Sequence, residues 1–130
     1  DPALVEFLCM DSGANSIAVG LDAKDGRISL RGWTDISSMS VLELMKNMED
    51  IGVDHFIYTD ISRDGTLTEP NFEAIREILS VSRGSLCASG GVATISHLEK
   101  LIALDVESVI VGKALYTGAI DLNQAIAHFN

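Results

Sequence analysis

The chain has 130 residues and a formal net charge of −10 at pH 7, with 47% hydrophobic and 22% charged residues. That size and apolar share exclude a disordered chain and suit one domain that buries about two thirds of its surface. The acidity excludes nucleic acid as a general partner, because no basic stripe is present to neutralise a phosphate backbone. A local anion site made of backbone N–H groups remains open to it.

Pro2 to Met10 reads as an amphipathic helix, and a chain that opens inside an element on Asp1-Pro2 is expected to be a fragment of something longer. Ile17 to Leu21 is a short apolar run and reads as a buried strand. A polar loop follows, with Asp25-Gly26 as a turn pair. Val41 to Met48 places Val41, Leu42, Leu44, Met45 and Met48 on one helical stripe, preceded by a Ser40/Glu43 capping box and followed by Gly52 at the C′ position. His55 to Ile61 is a second strand. Pro70 opens a helix to about Ser82 with Phe72, Ile75, Ile78 and Leu79 inward, and Gly84 ends it. Ser85 to Ser89 is a third strand. Ser96 and Glu99 offer a second capping box for a helix to Leu104, with Leu98, Leu101 and Ile102 inward. Val109 to Val111 is a fourth strand, and a last helix covers Leu122 to Phe129.

The order is a helix and then four βα units. Apolar strands separated by helices imply an α/β fold with a parallel sheet, curled into a barrel or left open, and periodicity does not choose between these. Residues 1–130 read as a single unit. Cys9 and Cys87 lie far apart in apolar runs and are expected to be buried free thiols, and no Cys/His cluster suggests zinc. No segment resembles a signal peptide and no apolar run reaches the ~18–20 residues that span a membrane, so a cytoplasmic location is expected, with no membrane partner.

In parallel βα folds the site lies at the carboxyl ends of the strands. All four strands here run from apolar residues into polar groups or glycines at that end. Asp22 directly follows an apolar run, where a carboxylate is partly desolvated and suited to proton transfer; a turn or cap aspartate is the plainer alternative. Thr59 is a strand-end donor or simply a β-favouring residue. Asp64-Gly65-Thr66 is a loop turn, or a unit that brings a carboxylate and donors to an anion. Ser89-Gly90-Gly91 lets backbone approach a ligand with no Cβ between them, and Gly112-Lys113 supplies the facing wall, the arrangement barrels use for phosphate after their last two strands. Arg31 is placed to pair with an anion and Trp33, the sole tryptophan, to stack on a heterocycle, or else to anchor the loop. His55, His97 and His128 read as surface or packing residues.

Gly-Leu-Asp-Ala-Lys-Asp-Gly from Gly20, Arg-Gly-Trp from Arg31, Tyr-Thr-Asp-Ile-Ser-Arg-Asp-Gly-Thr-Leu from Tyr58, Ala-Ser-Gly-Gly-Val from Ala88 and Val-Ile-Val-Gly-Lys-Ala-Leu-Tyr from Val109 together resemble the second half of the phosphoribosylformimino-5-aminoimidazole carboxamide ribotide isomerases of histidine biosynthesis. The likeness covers essentially the whole chain, in order and with matching spacing. It implies a (βα)8 TIM barrel of which this chain supplies the fourth helix and then β5α5 to β8α8. It implies an aldose–ketose isomerase that performs an Amadori rearrangement on a phosphorylated ribotide, with no cofactor and no metal.

By the same likeness Asp22 matches the general acid, Thr59 an assisting threonine, and Asp64 and Gly65 the loop after strand six. Ser89, Gly90, Gly91, Gly112 and Lys113 match one of two phosphate sites, and Arg31 and Trp33 belong to the shared Arg-Gly-Trp motif. The general base and the other phosphate site belong to the absent strands, so weak or no turnover is expected from these residues alone. A bound phosphate or sulfate ion is expected, as is self-association or pairing with the missing N-terminal half. Glu69 departs from the glycine common there. A cyclase of the same pathway, a dual-substrate isomerase that also accepts phosphoribosyl anthranilate, and a non-catalytic half-barrel assembly unit are the alternatives.

Overall fold

The structure, a computed structural model, describes residues 1–129. Chain order is α1 (Pro2–Ser12), a 3-10 turn (Ala14–Ser16), β1 (Ala18–Lys24), β2 (Arg27–Leu30), β3 (Asp35–Ser40), α2 (Val41–Asp50), β4 (His55–Asp60), α3 (Phe72–Val81), β5 (Ser85–Ser89), α4 (Ile95–Ala103), β6 (Ser108–Val109), α5 (Lys113–Tyr116) and α6 (Leu122–Phe129). One six-stranded sheet runs β3-β2-β1-β4-β5-β6. Its β1-β4-β5-β6 part is parallel, as the alternation of strands and helices requires.

The segment after β1 is not a polar loop. Asp25 and Gly26, at φ +50 and +74, make a two-residue turn of the kind that matches strand twist, and β2 folds back antiparallel to β1 and then pairs with β3. The sequence reading saw the turn and missed the hairpin, because Ile28 and Ser29 are both buried and the run lacks strict alternation.

The two faces of the parallel strands differ sharply. Leu21, Phe56, Tyr58, Leu86 and Ala88 face the helices and are fully buried with Met45, Ile75 and Leu101. Burial of each large side chain in this layer contributes about 1.5–3 kcal/mol. The opposite face is left open: Ala18 and Gly20 are exposed and Ile57 and Cys87 only half-buried. Register puts Asp22 beside Thr59 and Thr59 beside Ser89 on this open face. Both cysteines are free, and half-buried rather than buried.

Several helix boundaries differ from the sequence reading. Ser40 Oγ accepts the Glu43 amide as expected, at 3.1 Å, and Gly52 sits at φ +100. The third helix begins at Phe72, not Pro70, because Asn71 caps it through the Ala74 amide. The fourth begins at Ile95, capped by Thr94 Oγ1 on the His97 amide, so the Ser96/Glu99 box does not form. Ile102 is 50% exposed and does not point inward. The last strand is Ser108–Val109.

At the far side of α2, Glu49 binds the Arg83 amide at 2.7 Å and its guanidinium at 3.1 Å. Burial pushes the Glu49 carboxyl up, but the Arg83 amide and guanidinium and the Gly84 amide outweigh it and hold the group below its ordinary value. No helix among the described residues is long and apolar enough to cross a membrane.

Candidate active site

The carboxyl ends of the parallel strands form one rim. β5 ends at Ser89, and Gly90 and Gly91 follow at φ +94 and +79. With Ser89 and Val92 they line a cavity of about 190 Å³, closed by Asp64, Gly65 and Leu67 from the β4–α3 loop and by Ile110, Gly112 and Lys113. Lys113 is the one cation of this wall and Asp64 the one anion. The Lys113 ammonium donates to the Gly65 carbonyl at 2.9 Å, bridging the mouth and leaving two of its protons for a ligand. Among the described residues no loop or cap hydrogen bond engages the Gly90, Gly91 or Gly112 amides.

The paired glycines have a further reason to be there. A Cβ on Gly91 would stand 2.3 Å from the Glu69 carbonyl oxygen, and one on Gly90 would stand 2.9 Å from that of Asp60. The missing side chains thus let two loops close on each other and shape the cavity from behind. Gly112 has no heavy atom within 4 Å of such a Cβ, so packing within the chain does not demand its small size.

The β4–α3 loop is held by a group the sequence reading did not single out. Asp60, buried at the end of β4, accepts the Ser62 amide at 3.0 Å, the Ser62 hydroxyl, and the Asn71 side-chain amide at 2.7 Å. Its carbonyl takes the Arg63 and Asp64 amides. Asp60 stands inside the quoted Tyr-Thr-Asp motif, but alternation alone puts it on the helix-facing side, where a carboxylate is unexpected without partners. Arg63 reaches the Glu69 carbonyl at 3.2 Å and its carboxylate at 3.4 Å, so the residue that departs from glycine finds a partner there.

Asp22 sits two strands from Ser89, about 10 Å at ordinary strand spacing. Its carboxylate accepts the Trp33 indole N–H at 2.7 Å. Three consecutive residues, Arg31, Gly32 and Trp33, are left-handed at φ +51, +63 and +72. That turn swings the indole back over β1. Such runs of unfavourable backbone persist where surrounding contacts fix them. Thr59 lies between Asp22 and Ser89 and is half-buried.

Two other expected ligands lie elsewhere. Arg31 pairs with Asp35 at 3.1 Å, its side chain largely in solvent. The Thr66 hydroxyl binds the Arg63 carbonyl and Thr68 within its own loop and does not line the cavity. Of the histidines, His128 pairs with Glu99 at 2.8 Å on the surface. His55 meets Ser85 at 2.7 Å and Glu107 at 3.9 Å through the same Nδ1 atom, which rules out a relay from serine to carboxylate. Among the described residues no group of three His, Cys, Asp or Glu side chains is placed to hold a metal ion.

A sequence profile of the family described as "Histidine biosynthesis protein" matches residues 1–121. The chain belongs to that family. Among its relatives is a protein of Dehalococcoides mccartyi, 48% identical over 125 residues and 96% of this chain. One of Crocosphaera subtropica is 45% identical over 129 residues and 97% of this chain, and one of Roseiflexus castenholzii is 43% identical over 128 residues and 98%. Each carries the name 1-(5-phosphoribosyl)-5-((5-phosphoribosylamino)methylideneamino) imidazole-4-carboxamide isomerase. The chain spans about half the length of these relatives, 52%, 50% and 54% of them in that order. As a member of the histidine biosynthesis protein family, it has an α/β fold of parallel βα units that amounts to about half of a (βα)8 barrel.

Proposed function

We propose that these residues are the C-terminal half of an aldose–ketose isomerase that rearranges a phosphorylated ribotide to its ribulosyl form in the cytoplasm. One observation carries the reading: a carboxylate and a glycine-walled cavity with free amides share one rim, about 10 Å apart across β4. The cavity is the grip for one phosphate of the substrate. Gly90, Gly91 and Gly112 offer N–H groups, and Lys113 adds the charge that an acidic protein otherwise lacks.

In the proposed reaction Asp22 gives a proton to the ribose ring oxygen as the C1–O bond breaks. The Trp33 indole N–H steadies the carboxylate left behind. Loss of the C2 proton then yields an enaminol, and reprotonation completes the ketose. The base for that proton lies outside these residues. Thr59 stands next to Asp22 to bond a ribose oxygen, and Asp64 faces the sugar from the loop. Phosphate anchoring holds the ring over Asp22, a positioning effect worth several kcal/mol of barrier.

The open sheet face supports a second statement: Ala18, Gly20, Ile57 and Ile110 need a cover, supplied by the remaining half or by another copy of the chain. Supplying the aminoaldose bisphosphate to the 130-residue chain and following ketose formation tests the reading. Binding with weak turnover, removed by Asp22→Asn, is expected. Binding that ignores a Gly112→Val substitution overturns the phosphate assignment. A clean monomer in solution overturns self-association.

A further inference from the structure

The loop that presents Gly90 and Gly91 ends in Ala93, whose amide is buried with its residue at 7% exposure. That amide donates to Nδ1 of His97 at 3.2 Å. His97 stands in the first turn of α4, where its own amide is capped by Thr94 Oγ1 at 3.2 Å. The imidazole therefore returns a bond to the segment that enters the helix, one residue before the N-cap amide that the Glu or Gln of a capping box takes. No loop or cap bond within the backbone takes the Ala93 amide, so without His97 it is buried and unmet.

The surroundings keep the ring in place and uncharged. Phe72 of α3 packs edge-on against it with centroids 6.0 Å apart. Lys100 of α4 sits over the Phe72 ring at 5.4 Å. Burial holds the His97 imidazole below its ordinary range, Lys100 adds to that, and Glu69 of the β4–α3 loop opposes it. The Glu69 carboxylate is itself engaged by Arg63. Glu69 also supplies the carbonyl against which Gly91 packs, so the glycine loop is fixed on one side by that backbone and on the other by His97.

Building on the phosphate reading of the cavity, we propose that His97 is a positioning residue: as a neutral imidazole it holds the Gly90–Ala93 loop so that its amides converge on the anion, and protonation at Nδ1 releases the loop. An Nδ1 that accepts a hydrogen bond carries no proton, so acid removes the acceptor and replaces it with a donor facing a donor. The sign is distinctive. A histidine that acted only through charge would strengthen anion binding in acid; one that positions the loop weakens it.

The test uses the 130-residue chain and sulfate, a phosphate mimic whose charge does not change over the range studied. Sulfate affinity and exchange of the Ala93 amide with solvent are followed by NMR at about pH 7.5 and about pH 4, the acid point set well below an ordinary histidine because His97 is held beneath that range. In the wild type, affinity falls about tenfold in acid and Ala93 exchange, corrected for its intrinsic pH dependence, rises by a similar factor, roughly what one hydrogen bond carries. His97→Gln keeps an acceptor that does not titrate, so both readouts become flat with pH. His97→Leu binds weakly and exchanges fast at both values. A wild-type affinity that is flat or rises in acid overturns the proposal, as does a Gln variant that titrates like the wild type. If the wild type binds no sulfate at either pH, the phosphate reading fails. Ala93 exchange then judges His97 separately, and exchange indifferent to pH and to the Leu and Gln substitutions sinks its hold on the loop.

Discussion

Gly91→Ala is a direct probe of the way the cavity is built. The new Cβ would stand 2.3 Å from the Glu69 carbonyl oxygen, 2.7 Å from its carbon and 3.2 Å from the Arg63 Cβ. Two of those atoms are backbone of a segment fixed by Pro70 and by the Arg63 bond to Glu69, so no side chain can rotate away. The backbone at φ +79 adds a left-handed penalty of about 1–2 kcal/mol for an L-residue. Forced separation of packed segments costs about 1–3 kcal/mol more. The sum, about 2–5 kcal/mol, is a large part of the ~5–15 kcal/mol that holds a domain together. With an ordinary urea slope of about 2 kcal/mol per molar, the unfolding midpoint should drop by about 1–2.5 M. Gly20→Ala is the control, since no heavy atom lies within 4 Å of its Cβ and its backbone is that of a strand, and its midpoint should stay near that of the wild type. A Gly91→Ala midpoint within ~0.3 M of wild type, about 0.6 kcal/mol on that slope, would refute the close-approach argument.

Removing Asp60 should be costly as well: Asp60→Ala strands the Asn71 amide and both Ser62 donors, for about 2–4 kcal/mol by chemical unfolding, and a loss under ~0.5 kcal/mol would show the carboxylate to be dispensable. Glu49 makes stability depend on acid, because its carboxyl is held below the ordinary 4.5. Its contribution is complete above that ordinary value and is lost as pH falls through the lowered one, so midpoints measured from about pH 6 to about pH 3 should decline less steeply in Glu49→Gln. Equal slopes would dismiss the Arg83 contacts as stabilising. Finally, Trp33 is the only tryptophan, and Asp22→Ala should shift its emission to the red as the indole loses its carboxylate partner; an unchanged spectrum would mean that the contact is not kept in solution.

Much of the scaffold was readable because it rests on local rules. Ser40 and Gly52 announced both ends of α2, and the apolar runs at Ile17, His55 and Ser85 marked strands whose polar ends line one rim. The β1–β2 hairpin was missed although Asp25-Gly26 stands between Ala18–Lys24 and Arg27–Leu30, because the second run is short and buries a serine beside an isoleucine. The cap of α4 was misplaced by two residues, since Thr94 pairs with a histidine and not with the Glu or Gln that signals a box. At the rim, the sequence marked Asp22 and Trp33 separately. Their bond depends on three left-handed residues in a row, a conformation Arg31 and Trp33 do not announce. Asp60 was hidden for the opposite reason: its partners Ser62 and Asn71 meet it only after the loop has closed.

The antiparallel hairpin touches β1 only through Ala23 and Lys24. It therefore acts as an end-stop on that border of the sheet. A parallel strand laid alongside β1 has the stretch from Ala18 to Asp22 to bond with and must halt below Ala23, which bars every register that would carry its tip past Asp22.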